Sequence, residues 1–295
     1  MKFELVIDSG CGIAETPIWD DRSQTLLWND LFTGDVYEYD PATTEQKMWK
    51  TNALIGSCIP CEDPNKIFVM IETGAYLLDK TTGELEFLVD PENGNDLNRY
   101  NDTRIDAKGR IFTSSVAKTY GTDAYTPDQL GAFYMIDTDH KTVKLVKDGI
   151  NQYNCIVWNK DNTKMFVVDT YNETLLAWNY DLETGPVGEP EIVINFKDAQ
   201  GMPDGVSIDE EDNLYVCHWS QQISVWNKNF ELVKTIEFPV PQIACGGFGG
   251  ADMKDFYVAT AAYCYTEEDK KNNPGAGGTW VAKNDIKGRM DYFFK

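Results

Sequence analysis

The sequence predicts an all-β fold, a six-bladed β-propeller of four-stranded antiparallel blades forming a single domain over residues 1–295. Three observations carry this: strand signals with almost no helical pattern, a polar pair that recurs at blade spacing, and a hairpin that follows each recurrence. Runs such as Lys66–Ile71, Lys164–Val168 and Asp255–Ala259 are rich in aromatic and β-branched residues, which suit a pleated, half-buried surface. No long stretch carries an apolar stripe at i, i+3, i+4 and i+7, so helix is expected to be rare.

In each unit a polar or small residue is followed five positions later by an acidic or amide residue, then a turn, then an apolar strand. Glu15 and Asp20 precede Thr25–Trp28, Cys58 and Asp63 precede Ile67–Val69, and Asn101 and Asp106 precede Arg110–Phe112. Asn154 and Asn159 precede Met165–Val167, Asp204 and Asp209 precede Leu214–Val216, and Gly247 and Asp252 precede Phe256–Val258. The units start 43, 43, 53, 50 and 43 residues apart, the period of a propeller blade. A second strand pair completes each unit, most plainly Gly74–Asp79, the turn Lys80–Gly83, and Glu84–Leu88. Seven segments compete for six outermost positions, Phe3–Ile7 and Met290–Phe294 among them. Either chain end is therefore able to close the ring and cover its open edge.

Composition narrows the function. A net charge of -22 argues against nucleic acid and against anionic membrane surfaces, which both require clustered Lys and Arg. No run of apolar residues is long enough to span a bilayer, and Met1–Asp8 lacks the apolar stretch of a signal peptide. Seven cysteines, an odd number in a chain too large to need staples, point to a reducing, cytoplasmic setting. The sequence leaves the oligomeric state open.

The innermost strand of each blade begins on one face of the ring, close to the axis. Glu15, Cys58, Asn101, Asn154, Asp204 and Gly247 occupy that register and are expected to circle one mouth of the channel. Two carboxylates and two carboxamides converging there make the oxygen-rich pocket that hard cations prefer. A cation also resolves the repulsion between the carboxylates. Two long loops, Ala117–Gly131 and Ala261–Gly278, emerge on the same face and are candidate lids or substrate walls.

These segments look like a known family. Asn98-Arg-Tyr-Asn-Asp102, running on through Ile105 to Arg110, resembles its "NR-x-ND-x-x-x-D-x-x-G-R" element. Met202-Pro-Asp-Gly205 with Asp209 resembles "PDG-x-x-x-D", and Glu15-Thr-Pro17 followed by Trp19 resembles "E-x-P-x-W". Asn154 to Trp158 with Asp169-Thr170, Gly277–Trp280 and Ile286–Gly288 also have counterparts. The set is similar, in order and over nearly the whole chain, to the senescence-marker-protein/gluconolactonase/luciferin-regenerating-enzyme family. The resemblance implies a propeller lactonase acting on a small sugar lactone with one divalent cation. Calcium is the first expectation, with zinc, magnesium or manganese as alternatives. It implies Glu15, Asn154 and Asp204 as metal ligands, and Arg99 and Asn101 as substrate-binding residues. Asp204 is the expected catalytic base. Rival functions are phosphotriester hydrolysis on the same fold and a calcium-binding propeller without catalysis.

There are departures from the family pattern. Ala14 and Cys155 stand where glycine is usual, Thr103 replaces the glycine of "NDG", and Ser114-Ser-Val116 replaces "GTM". Lys118 and Thr119 occupy the place of a substrate-contacting acidic residue. These changes bear on substrate identity more than on the metal site. His140 and His218 read as surface or structural rather than catalytic, with His218 also a candidate pocket wall. Cys58-Ile-Pro-Cys61 lacks a partner pair and does not read as a zinc or redox motif. Cys58 and Cys155 are expected as free thiols approaching the same mouth, where they would attract zinc.

Overall fold

The computed structural model describes residues 1–126 and 128–295. Six four-stranded antiparallel sheets form the blades of a ring, with almost no helix. Blade 1 begins at Ala14–Asp20, blade 2 at Ile55–Pro60, blade 3 at Asn98–Ile105, blade 4 at Tyr153–Trp158, blade 5 at Pro203–Ile208 and blade 6 at Ile243–Gly249. Those innermost strands are buried almost throughout, whereas outermost strands such as Glu45–Lys50 and Leu232–Glu237 are mostly exposed. The gradient follows from position, because an inner strand has a neighbouring blade on each face and an outer strand meets water.

The recurring acidic residue has a local cause. Asp20, Asp63, Asp106, Asp209 and Asp252 each accept the backbone N–H two residues on, at 2.9–3.1 Å. Asn159 instead accepts from Thr163 and Lys164 at 2.8 Å. Each side chain thus stands in for a backbone acceptor and folds the hairpin between first and second strands.

The N-terminal strand closes the ring. Glu4–Ile7 pairs antiparallel with Thr279–Lys283 as the outermost strand of blade 6. Met290–Phe294 forms no strand and belongs instead to a strap that crosses the far face of the ring. Gly288 bridges to Asp209 in blade 5, and Arg289 donates to the Trp158 carbonyl of blade 4 at 2.5 Å. Phe294 bridges to Cys61 in blade 2 and stacks on Phe68 with centroids 5.0 Å apart. The one helix among the described residues, Glu267–Asn272, has a Thr266 capping box and sits in the second long loop. Among the described residues no helix is long and apolar enough to cross a membrane.

Candidate active site at one mouth of the channel

Glu15, Arg99, Asn101, Asn154 and Asp204 line one cavity of about 320 Å³. Four different blades supply them. Glu15, Asn101, Asn154 and Asp204 each lie at an irregularity where the first strand slips register against the second. Such bulges re-aim a side chain out of the pleat, which turns these four toward the axis.

Cys58 and Gly247 do not reach this mouth. In blades 2 and 6 the first strand ends at Pro60 and Gly249, and two further residues precede the turn at Asp63 and Asp252. Counting back five from the turn therefore lands too deep. Cys58 packs between blades 1 and 2 against Leu27 and Val69, and a Cβ on Gly247 would collide with the Pro17 carbonyl at 1.9 Å. The expectation that Cys58 and Cys155 both approach this mouth is corrected accordingly, since Cys155 is buried behind Asn154 and does not line the cavity either. All seven cysteines are free.

Hydrogen bonds fix the carboxamides. Arg99 Nη1 donates to Asn101 Oδ1 at 2.8 Å, and Asn101 Nδ2 donates to Asn154 Oδ1 and to the Tyr153 carbonyl. Asn154 Nδ2 donates to Thr170 Oγ1 at 2.7 Å, and that hydroxyl in turn donates a hydrogen bond to the Pro203 carbonyl at 2.8 Å. The Asn154 oxygen is thereby turned toward the cavity. Glu15 Oε2 is buried without any partner.

Electrostatics mark the floor. Burial, then Asp204 and Asp102, push the Glu15 carboxyl well above the usual range, against Arg99 and Arg104. Asp204 is likewise raised by burial, Asp102 and Cys155, with Arg99 opposing. Burial lowers Arg99 to about 10 although three carboxylates hold its charge. A desolvated pair of carboxylates beside an unpartnered oxygen is a site short of positive charge. Among the described residues no three of His, Cys, Asp and Glu gather closely enough to hold a metal ion by themselves. The donors here are carboxylate and carboxamide oxygens. That set fits a hard divalent cation.

The walls come from both long loops and from residues that sequence patterning does not single out. Tyr120, Gly121 and Thr122 enter from the first loop and Tyr263 from the second, with Phe32 stacked on Tyr263 at 5.5 Å. Trp219, Met202 and Leu54 complete the apolar rim. Lys118 also lines the cavity, where it pairs with Glu72 at 2.6 Å. Nothing local in the sequence marks Phe32 or Trp219. They follow ordinary strands and meet only through the ring closure.

His218 is not among the lining residues. It is fully buried, 2.8 Å from Ser224 Oγ and edge-on to Phe196. Burial lowers it to about 4 from 6.5, so the unfolded chain binds more protons between those two pH values. Stability contributed by keeping this ring neutral is present above pH 6.5 and is lost as pH falls toward 4. A change of 2–3 pH units corresponds to about 3 kcal/mol. His218→Gln is expected to flatten the fall in melting temperature between pH 7 and 4.5 relative to the unmodified protein. Equal slopes for the two proteins would show that this histidine protonates in the fold.

A propeller whose inner strands aim oxygen donors and one arginine into a single mouth belongs to the class of propellers built around a polar channel site. Residues 13–262 match the model of the SMP-30/gluconolactonase/LRE-like region, and the chain belongs to that family. It is 27% identical over 291 residues to "Putative sugar lactone lactonase YvrE" of Bacillus subtilis (strain 168), covering 98% of this chain and 97% of that one. Human regucalcin is 26% identical over 297 residues, covering 100% and 98%. Among solved structures, a luciferin-regenerating enzyme superposes with a TM-score of 0.90 at 26% identity, covering 100% and 99%. The calcium-binding protein regucalcin of Agrobacterium tumefaciens gives 0.91 at 22% identity, covering 99% and 96%, a likeness of fold.

Proposed function

We propose that this chain is a divalent-metal-dependent hydrolase that opens a sugar lactone, acting as one domain over residues 1–295 in the cytoplasm. The observation that carries the reading is the charge-deficient floor: Glu15 and Asp204 buried together, with Glu15 Oε2 unpartnered, beneath a cavity that Arg99 faces. The family's gluconolactonase members and the lactonase name of a full-length relative support it. Glu15, Asn154 and Asp204 would hold the cation, with calcium first on the strength of the regucalcin relatives and zinc, magnesium or manganese as alternatives. A cation there supplies a Lewis acid that polarises the lactone carbonyl and favours water attack.

The chain's own residues do the rest. Arg99 presents a rigid donor fork to ring and hydroxyl oxygens, and Asn101, held by Arg99, adds a fixed amide. Asp204 takes the proton of the attacking water. Tyr120, Tyr263 and Trp219 wall the cavity, giving the sugar ring apolar faces to lie against and narrowing access for bulk water. The acidic surface repels the carboxylate product once the ring opens.

The test is a panel of γ- and δ-lactones with a phosphotriester alongside, run on protein whose metal content has been measured. Lactone turnover that vanishes on chelation and returns with calcium is expected. Turnover of the phosphotriester alone would move the site to that chemistry. Absence of any ester hydrolysis at any cation would leave a calcium-binding propeller.

A further inference from the structure

Beneath the mouth, the thiols of Cys155 in blade 4 and Cys245 in blade 6 face each other across the channel, 3.3 Å apart and fully buried. Blade 5 lies between them in sequence and in the ring. The contact exists because Gly205 of that blade has no side chain: a Cβ there would sit 2.7 Å from Cys245 Sγ and 2.6 Å from its Cα. Cys155 itself adopts φ +30, a backbone conformation that favours glycine, so a thiol is kept where a side chain is costly. Arg104 Nη2 lies 3.4 Å from Cys155 Sγ and 3.8 Å from Cys245 Sγ. The Arg104 guanidinium favours a thiolate in the pair, against the hydrogen bond with Cys155 and burial, which push the Cys245 thiol well above its ordinary value.

We propose that Cys155 and Cys245 form a reversible disulfide under peroxide and that this bond shifts the Asn154 carboxamide and switches the site off. The sulfurs need to close by roughly 1.2 Å from their present 3.3 Å to reach the ~2.05 Å of a disulfide. A cavity of about 40 Å³ on the strap side is lined by Arg104 and by Ile156 and Gly246, the residues that follow the two cysteines, though by neither sulfur; it has room for a molecule of water size, so peroxide can reach the neighbourhood of the pair. The Cys155 sulfur attacks one peroxide oxygen and the O–O bond breaks. A sulfenic acid forms, and the other oxygen leaves as water with the thiol proton. The Cys245 sulfur then displaces the sulfenic hydroxyl, which leaves as a second water with the Cys245 proton. The two thiols lose two electrons and two protons, and the peroxide gains them.

The link to the site is short. Cys155 directly follows Asn154 and is the bulged residue, and its N–H donates to Asp102 Oδ2 at 2.9 Å. Drawing the Cys155 sulfur toward blade 6 turns this bulge and with it the amide before it. A displacement of order 1 Å at a reacting centre costs up to about a hundredfold, so a tenfold to hundredfold fall in lactone hydrolysis is expected.

The activity consequence rests on the hydrolase reading; the bond itself does not. Full-length protein is treated with hydrogen peroxide, free thiols are alkylated, and unreduced peptides are mapped by mass spectrometry. Exposed Cys264 reports that the oxidant acted. Expected are a Cys155–Cys245 linked peptide lighter by two hydrogens, activity that falls with its appearance, and recovery of both with dithiothreitol. Cys245→Ser should keep its activity under peroxide, and Cys245→Ala serves if the serine variant folds poorly. Oxidised Cys264 without the linkage, linkage of Cys155 to Cys217 instead, or equal peroxide sensitivity in the Cys245 variants would each overturn the proposal. So would linkage with activity unchanged. If the reduced protein hydrolyses no lactone, the hydrolase reading fails, and calcium titration of linked against reduced protein tests the displacement of Asn154. Equal affinities would then overturn it.

Discussion

Asp204→Asn is expected to lower lactone hydrolysis by at least about a hundredfold while leaving the fold intact, since both the base and part of the cation's charge balance are lost. The substitution is nearly isosteric. It also removes one of the buried charges that Asp102 and Cys155 oppose, so the metal-free protein should melt no lower than before. This separates a chemical role from a structural one. Raising calcium should restore binding in part without restoring kcat, because an amide oxygen still coordinates but does not accept a proton at neutral pH. Activity within a few-fold of the unmodified protein at saturating cation would remove Asp204 from the base role and leave it a ligand only.

The blade repeat was legible because it is local. A hairpin needs an acceptor side chain at its turn, and Asp20, Asp106 and Asp209 supply it immediately after or at the end of the first strand. Counting back from that turn finds the mouth wherever the strand runs straight into it. It fails in blades 2 and 6, where two intervening residues shift Cys58 and Gly247 down the channel. Ring closure was open for a different reason. Phe3–Ile7 and Met290–Phe294 have comparable strand character, and the choice is made by what each finds on arrival. Glu4–Ile7 meets the unpaired edge of Thr279–Lys283, whereas Phe294 meets Phe68 and His140 on the far face. The pairing of Cys155 with Cys245 is least visible in the sequence. Ninety residues separate them, and their approach depends on a glycine in a third blade.

Glu15→Gln is expected to be more stable than the parent without metal and less stable than the parent with it. Without a cation, Glu15 is buried beside Asp204 and Asp102 with one oxygen unpartnered. Ionised, that carboxyl suffers desolvation and repulsion; protonated, it must take a proton from water at a pH above its ordinary range. Glutamine avoids both, so the metal-free variant should melt above the metal-free parent. A gain of 1 kcal/mol corresponds to roughly 1.5–2 °C in a chain of 295 residues. With calcium the balance turns. A cation at a hundred times its Kd stabilises the folded parent by about 2.7 kcal/mol, and a site that has exchanged a carboxylate for an amide should lose most of that gain. Differential scanning of both proteins, in chelator and in calcium, gives four melting temperatures whose order is the result. A parent that melts higher under both conditions would mean that Glu15 stabilises the fold through its own contacts and that no cation resolves its charge.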